Sequence, residues 1–295
     1  MKIVRAERLA LDIPFYTDRV IRAMQRAQTH SERVYVYRVV TDSDLVGYGD
    51  SLGVHDTERV VGQNPFAVMN DDSLGLGLQL AVLDAAGQAA GVPVYALLGD
   101  KVRDRCPISW WDIDMSPEDW VAEAEESIRR GYTSFKMKAR PWRDIVDQIE
   151  QVGKVVPADY KFDVDFNGFL LHQAGAEEML QQLDEYPNVG IYESPFYLHR
   201  DPRGGRILRE RVRKPIVEHF REEYLLADCC DGFVIGSGVT ATRHQAALAA
   251  TFNKPFWIQQ VAQVLAPPLW CNWVRCFPMP GCLISPATSC GNTTY

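Results

Sequence analysis

Several features of common protein classes are missing from this sequence of 295 residues. No apolar run approaches the length of a membrane-spanning helix, and the first residues lack the pattern of a secretory signal. Basic residues are not in excess, because the formal net charge is −8. We therefore expect a cytoplasmic protein that binds neither nucleic acid nor membranes.

Disulfide and zinc motifs are also missing. The seven cysteines are an odd number and form no Cys-x-x-Cys motif, which favours reduced thiols over a disulfide framework. The C-terminal cysteines match no common zinc spacing. No low-complexity linker interrupts the chain. With 46% hydrophobic residues, the chain can bury the core of one barrel and a smaller domain.

Charged residues recur at regular intervals in the middle of the chain. Lys138, Asp165, Glu193 and Glu218 lie 25 to 28 residues apart, and each closes a short run of strand character. Helical patterns separate these runs, so strand and helix alternate as in a parallel α/β protein. In a (β/α) barrel, this spacing brings the strand ends to one mouth. The series therefore predicts a charged pocket.

The residue types in this pocket suit one kind of chemistry. Three converging carboxylates repel one another, so the arrangement makes sense around a divalent cation such as Mg²⁺. Lys136 shares a strand face with Lys138, and a lysine beside a metal and another lysine can act as a general base. These groups suit abstraction of a proton next to a carboxylate, with an enediolate stabilised by the metal. Asp163 shares the face of Asp165 and is an alternative ligand.

Each of these residues alone has an ordinary explanation, since single strand-end acids and lysines are commonly solvated. The ordered set is more specific and resembles the enolase superfamily, in its mandelate racemase and muconate lactonizing enzyme branch. The resemblance rests on four motifs, namely Lys136-x-Lys138, Asp165-x-Asn167, Glu193-Ser194-Pro195 and Glu218.

The resemblance implies a fold. It is an α/β fold with a (β/α)8-type, TIM-like barrel of the modified (β/α)7β form in residues 101–295. A smaller α+β capping domain would occupy residues 1–100. The cap would contain strands over residues 2–13 and 33–41, the second strand of a hairpin over 45–49, and a helix within 75–98.

The resemblance also implies roles for the site residues. Asp165, Glu193 and Glu218 would bind Mg²⁺, Lys138 would exchange the α-proton of a small-molecule carboxylate, and Lys136 would support that carboxylate. The implied activity is that of an isomerase, such as a racemase, epimerase or muconate cycloisomerase. An acid-sugar dehydratase (a lyase) and a non-catalytic metal-binding member are the alternatives.

The acid on the opposite face of the substrate is not identified. Gln259 stands near the position of the strand-seven histidine of the mandelate racemase type, and Gly236 near that of the strand-six lysine of the muconate type. In the mandelate racemase type, an aspartate on strand six supports that histidine. Asp231 either corresponds to this aspartate or is merely the first residue of strand six. Strand alternation directs His219 away from the side of Glu218.

Two loops of the cap, over residues 14–31 and 51–56, are expected to lean over the barrel mouth. Arg19, Arg22, Tyr16 and His55 are therefore candidates for contacting the substrate, and an ordinary exposed loop residue is the alternative for each of them. Trp111 ends the predicted first barrel strand, over residues 106–111, and would line the pocket or pack in the core. The candidate substrate-binding residues are therefore Asn167, Asp231, Trp111, Tyr16, His55 and Gln259.

The pattern changes after Glu218. Only 13 residues separate Glu218 from Asp231, which predicts a shortened fifth helix. The last three strands are predicted over residues 231–236, 254–258 and 281–284. The stretch 264–295 stops soon after the last strand, so we expect an open site, or a homo-oligomer that closes it through Trp270, Trp273 and Phe277.

Overall fold

Two sheets organise the structure, a computed structural model that describes residues 1–15, 17–27, 30–102, 104–260 and 284–286. The first is an antiparallel sheet of three strands, and the second is a parallel sheet of eight strands. The predicted fold class, a parallel (β/α) barrel preceded by an α+β cap, is confirmed.

The cap sheet follows the predicted hairpin pattern. Its central strand β2 pairs with β1 on one side and with β3 on the other. Thr41 donates its backbone N–H to the carbonyl oxygen of Leu45 at 2.9 Å, which closes the predicted turn. The three strands are β1 (Ile3–Asp12), β2 (Arg33–Thr41) and β3 (Val46–Ser51).

The parallel strands follow one another in chain order around the second sheet. The last strand contacts the first, so the described strands curl into a barrel. They are β4 (Trp110–Ile113), β5 (Ser134–Lys138), β6 (Lys161–Asp165), β7 (Val189–Glu193), β8 (Ile216–His219), β9 (Gly232–Ile235), β10 (Phe256–Gln260) and β11 (Ile284–Pro286).

Helices connect these strands, as parallel pairing requires. The helix between β8 and β9 has six residues, which confirms the predicted shortening. No helix in the described ranges is both long and apolar enough to cross a membrane. In chain order, the α-helices are α1 (Asp18–Ala27), α2 (Pro65–Val68), α3 (Leu76–Ala90), α4 (Pro117–Arg129), α5 (Ile145–Gly153), α6 (Gln173–Leu183), α7 (Pro202–Arg211), α8 (Glu222–Ala227) and α9 (Val239–Thr251), with 3-10 helices at Thr57–Val60, Asp72–Leu74 and Val94–Leu97.

Helix α3 packs against both sheets, which explains why it is apolar on all sides. Leu78 and Val82 belong to the core beneath the cap sheet, whereas Leu80 and Leu83 belong to the barrel core. The predicted boundary near residue 100 stays a prediction.

One predicted loop contains a helix. Residues 14–31 were expected to form a loop, but α1 occupies most of this range. Its buried residues, Val20, Ala23 and Met24, have helical spacing and join the barrel core. This apolar stripe is narrow and lies among charged residues, so the sequence pattern concealed it.

Other boundaries also differ from the predictions. The first barrel strand was expected over residues 106–111, but β4 continues to Ile113 because Asp112 and Ile113 pair with Met137 and Lys138. Asp112 is fully buried within this strand. For the last strand, predicted over 281–284, residues 281–283 lie outside the described residues, as do Trp270, Trp273 and Phe277. The homo-oligomer therefore stays a prediction.

The close packing of β3 on α3 generates a stability prediction. A Cβ atom at Gly49 would lie 2.2 Å from the carbonyl oxygen of Gly77, a backbone atom that cannot move aside. We expect Gly49→Ala to lower the free energy of unfolding by about 1–3 kcal/mol, measured by urea denaturation. Gly153→Ala is the control, because its nearest contact is 3.9 Å away. Equal stabilities of the two variants would contradict this account.

Candidate active site

The predicted charged residues meet at the C-terminal ends of neighbouring barrel strands. Lys138 of β5 lies in register with Asp165 of β6, which lies in register with Glu193 of β7. Glu218 lies on the adjacent strand, β8. Because parallel strands end at the same edge of a sheet, the spacing of 25 to 28 residues in the sequence becomes one row of side chains.

Two lysines share one carboxylate in this row. The Lys136 ammonium donates to Glu193 Oε2 and lies 3.3 Å from Asp165 Oδ2, and Lys138 Nζ donates to the same Asp165 oxygen at 2.5 Å. Burial opposes the charge of Lys136, but the neighbouring Glu193 and Asp165 carboxylates raise its pKa. Although burial also acts against it, Lys138 and Lys136 hold the pKa of Asp165 low. Asp165 is therefore ionised between two cations.

The negative charges of Glu193 and Glu218 are less well balanced by neighbouring positive charges than that of Asp165. Burial, reinforced by the charge of Asp165, raises the pKa of Glu193 well above its usual range. Glu193 Oε1 is buried and has no hydrogen-bond partner among the described residues. Burial also raises the pKa of Glu218, which accepts hydrogen bonds from Ser194 Oγ at 2.6 Å and from the His219 backbone N–H at 2.8 Å.

The donor set can be compared with the needs of a divalent cation. Within the described ranges, no three histidine, cysteine or acidic side chains form a group that could hold a metal ion. The lysine ammonium groups bind Asp165 and Glu193 here. The chemistry of the donors nevertheless suits Mg²⁺, which prefers carboxylate oxygens. The unpartnered Glu193 oxygen and the raised pKa values of both glutamates indicate carboxylates that a further cation would help to ionise.

The alternative ligand, Asp163, lies deeper in the barrel. It is in register with Lys136 and borders a cavity of about 220 Å³ near the N-terminal ends of the strands, together with Ser134 and Trp257. Burial raises the pKa of Asp163 to about 6. This position is further from the mouth than that of Asp165, which favours Asp165 as the candidate ligand.

Asn167 joins Lys138 to an arginine that sequence reasoning missed. Its Oδ1 atom accepts hydrogen bonds from Lys138 Nζ at 3.3 Å and from Arg140 Nη1 at 3.2 Å. The Asn167 backbone N–H donates to Asp165 Oδ1 at 2.9 Å. The signal was present in the sequence, because Arg140 continues the alternation of Lys136 and Lys138.

Trp111 lies in the barrel wall beside Lys136. It is in register with Lys136 and only 2% exposed. The ring of His30 meets it edge to face, with ring centroids 4.9 Å apart. His30 precedes Ser31, so the cap segment reaches the barrel mouth as predicted, but through a residue that was not a candidate.

The orientation of His219 was predicted wrongly. Its Nε2 atom lies 3.6 Å from Glu193 Oε1, so the ring turns toward the acidic row. His219 is the last residue of β8, where the pleat no longer dictates the direction of the side chain. Gln259 lies in β10 and is half-buried, and its Oε1 atom has no partner among the described residues.

Five other candidates lie apart from this cluster or outside the described residues. Asp231 precedes β9 and accepts hydrogen bonds from Arg209 and from the Ile216 backbone, at the opposite ends of the strands. It therefore marks the start of its strand. Arg19 and Arg22 form ion pairs with Glu123 and Asp119 of α4.

His55 lies within the cap, bonded to Ser51 Oγ at 3.1 Å and stacked on Tyr37. Its packing there explains why it does not reach the barrel mouth. Tyr16 lies outside the described residues.

This barrel matches a known family. The model of the family described as Enolase C-terminal domain-like matches residues 119–269. The chain belongs to this family. The resemblance to the enolase superfamily, in its mandelate racemase and muconate lactonizing enzyme branch, is thereby confirmed.

Two curated relatives of this enolase-superfamily chain differ in their named activities. N-succinyl-L-Arg/Lys racemase of Bacillus cereus is 26% identical over an alignment of 226 positions, and the match covers 66% of this chain and 60% of the relative. D-galactonate dehydratase of Verminephrobacter eiseniae is 28% identical over an alignment of 196 positions, and the match covers 54% of this chain and 50% of the relative. The chain thus spans 50% to 60% of the length of these relatives.

Solved structures share the fold. The dipeptide epimerase from Enterococcus faecalis, complexed with Mg and the dipeptide L-Leu-L-Tyr, superposes with a TM-score of 0.80. The match covers 97% of this chain and 90% of that chain at 17% identity. At this identity, the likeness shows the cap-and-barrel fold.

The position of His30 generates a prediction about its titration. Burial, followed by the charges of Lys138 and Arg140, lowers the pKa of His30 from 6.5 to about 4. The folded state therefore binds fewer protons than the unfolded state between these values. The stabilising contribution of neutral His30 is complete above pH 6.5 and is lost as the pH falls through about 4.

An NMR titration of the His30 ring protons would measure this value directly. We expect Lys138→Met to raise the pKa of His30, because the variant removes the stronger of the two repulsive interactions with protonated His30. Arg129→Met is the charge-matched control on the outer helix α4 and should leave the titration unchanged. A wild-type midpoint near 6.5 would contradict the placement of His30.

Proposed function

We propose that the chain is an enolase-superfamily enzyme that removes the α-proton of a small-molecule carboxylate, with Mg²⁺ as cofactor. The observation that carries this proposal is the row of Lys138, Asp165 and Glu193, in register at adjacent strand ends with Lys136 buried behind it. The racemase, epimerase and dehydratase relatives support it by their named activities.

Asp165, Glu193 and Glu218 are the residues that would hold Mg²⁺. When bound, the ion supplies positive charge where negative charge develops on the substrate carboxylate. The Mg in the Enterococcus faecalis epimerase structure supports this choice of cofactor.

Lys136 and Lys138 have different roles in this proposal. Lys136 is fully buried and held charged by two carboxylates, so it binds and orients the substrate carboxylate. The Lys138 side chain is 10% exposed and lies nearer the mouth, where it takes the α-proton as the general base. Asn167 restrains the Lys138 amine by a hydrogen bond.

The fate of the deprotonated substrate separates two activities. The racemase and epimerase relatives favour an isomerase, in which a proton returns to the α-carbon. The dehydratase relative favours a second candidate, dehydration of an acid sugar. Here Lys138 takes the α-proton and passes it to the departing β-hydroxyl, so that a C–H and a C–O bond break, a C=C bond forms and water leaves.

One structural observation favours the dehydratase candidate. The amide of Gln259 is neither a general acid nor a general base at neutral pH, and Gly236 has no side chain. A Cβ atom at Gly236 would lie 2.8 Å from the carbonyl oxygen of Gln259, so the fold leaves no room for the lysine of the muconate type. These two positions therefore supply no second acid or base. A mechanism in which Lys138 is the single base, such as the dehydration above, suits them.

Proton exchange in D₂O tests the proposed base. We expect Mg²⁺-dependent incorporation of deuterium at the α-carbon of a substrate from a panel of sugar acids and N-acyl amino acids, measured by NMR. Lys138→Ala should reduce the rate by about 10²–10⁴-fold, because it removes the general base. Lys161→Ala is the matched control, since Lys161 begins β6 and donates to the Pro187 backbone.

The same spectra distinguish the outcomes. Loss of the β-hydroxyl identifies a dehydratase, and inversion or exchange without loss identifies an isomerase. Exchange that persists in Lys138→Ala would contradict the assigned base. Absence of exchange across the panel, with Mg²⁺ shown to bind, would favour the non-catalytic alternative.

A second test concerns the metal ligands. We expect Glu218→Gln to weaken Mg²⁺ binding by at least about tenfold, measured by calorimetry, because it removes a charged ligand. Glu223→Gln is the control, because Glu223 is exposed and pairs with Arg221. Equal Mg²⁺ affinities of the two variants would exclude Glu218 from the ligand set.

A further inference from the structure

Arg140 extends the series of cations from the barrel interior to the mouth. The Lys136 side chain is 1% exposed, that of Lys138 is 10% exposed, and Arg140 is half-buried. The Ala139 backbone N–H donates to the Asp165 carbonyl oxygen at 2.9 Å, so pairing with β6 continues beyond the last residue of β5. A ligand that enters the barrel therefore meets Arg140 first.

No carboxylate among the described residues forms an ion pair with Arg140. Its described hydrogen bonds both use Nη1, which donates to the Ala139 carbonyl oxygen at 2.7 Å and to Asn167 Oδ1 at 3.2 Å. Its Nε and Nη2 atoms donate to no residue that the structure describes, and no ion pair joins Arg140 to a described acid. One edge of the guanidinium, with two parallel N–H groups, is therefore available.

The acids nearest to Arg140 already have cationic partners. Asp165 binds Lys136 and Lys138. Asp114 accepts a hydrogen bond from Arg143 Nε at 2.9 Å and lies 3.4 Å from Arg26 Nε. A partly buried cation without its own counterion is unfavourable, and burial accordingly lowers the pKa of Arg140. Such a group is complementary to an anionic ligand.

A second polar group without a partner lies near Arg140. His30, whose charge interaction with Arg140 marks it as a neighbour, has a buried Nδ1 atom without a partner in the described part of the chain. Trp111 packs against the His30 ring. The cap segment thus contributes a polar group near Arg140 that can form a hydrogen bond.

We propose that Arg140 binds a second carboxylate of the substrate, so that the preferred substrates are dicarboxylates. The assignment of the first carboxylate to Lys136 rests on the proposed function. A guanidinium edge binds a planar carboxylate through two parallel hydrogen bonds, and the single positive charge matches a single negative charge. A phosphate dianion would leave one charge without a partner.

The geometry limits the length of the substrate. Lys138 Nζ and Arg140 Nη1 both bind Asn167 Oδ1, at 3.3 Å and 3.2 Å, so these nitrogens lie no further apart than about twice that distance. Because Lys138 would act at the α-carbon, the second carboxylate is only a few bonds away from it. The inference therefore points to short diacids.

Binding of a matched pair of ligands tests this subsite without requiring catalysis. Glutarate and its monoamide differ only in that a neutral amide replaces one carboxylate. We expect the wild-type protein with Mg²⁺ to bind glutarate at least about tenfold more tightly, measured by calorimetry. Arg140→Met should remove this preference, and Arg140→Lys should keep part of it, because the charge remains while the fork is lost.

Arg129→Met is the charge-matched control and should retain the wild-type preference, since Arg129 pairs with Glu126 on the outer face of α4. Circular dichroism and the melting temperature verify that each variant is folded. If Arg140→Met does not fold, Arg140→Gln replaces it, with the same expected loss. A wild-type protein without preference for glutarate, or a preference that survives in folded Arg140→Met or Arg140→Gln, would overturn the proposal.

The two proposals can fail separately. An Arg140-dependent preference without α-proton exchange would leave the subsite standing and contradict the proposed function. Exchange abolished by Lys138→Ala, but without an Arg140-dependent preference, would leave the proposed function standing and overturn the subsite.

Discussion

The interaction of the Lys136 ammonium with Asp165 and Glu193 is the constraint on which the rest of this structure depends. These charges lie inside a barrel whose other strand residues are largely apolar, where an uncompensated charge is costly. The lysine and the two acids come from β5, β6 and β7, so their contact requires the observed register of all three strands. The ion pairs of the site therefore form only when these three barrel strands pair in the observed register.

The cap is joined to the barrel by both apolar and ionic contacts. Helix α3 contributes to the cores of both parts, and α1 adds ion pairs from Arg19 and Arg22 to α4. This docking brings His30 onto Trp111 at the mouth. The packing of these two helices thus fixes the contact between the cap segment and the barrel.

Two polar groups at the site lack a hydrogen-bond partner or a counterion among the described residues. Glu193 has a buried oxygen without a partner, and Arg140 has a guanidinium edge without a counterion. The first suits a cation and the second suits an anion. Together they support the proposal of a Mg²⁺ complex with a substrate that carries more than one carboxylate.

The sequence by itself determined which strand ends would meet. The intervals between Lys138, Asp165, Glu193 and Glu218 express the period of a β/α unit, and this local property also revealed the short α8. Only the tertiary structure decided which charges are paired, because Asp114, Arg143 and Arg26 meet through folding and leave Arg140 without an ion pair in the described part of the chain. The direction of His219 at a strand end and the placement of His30 against Trp111 likewise depend on contacts between residues distant in sequence.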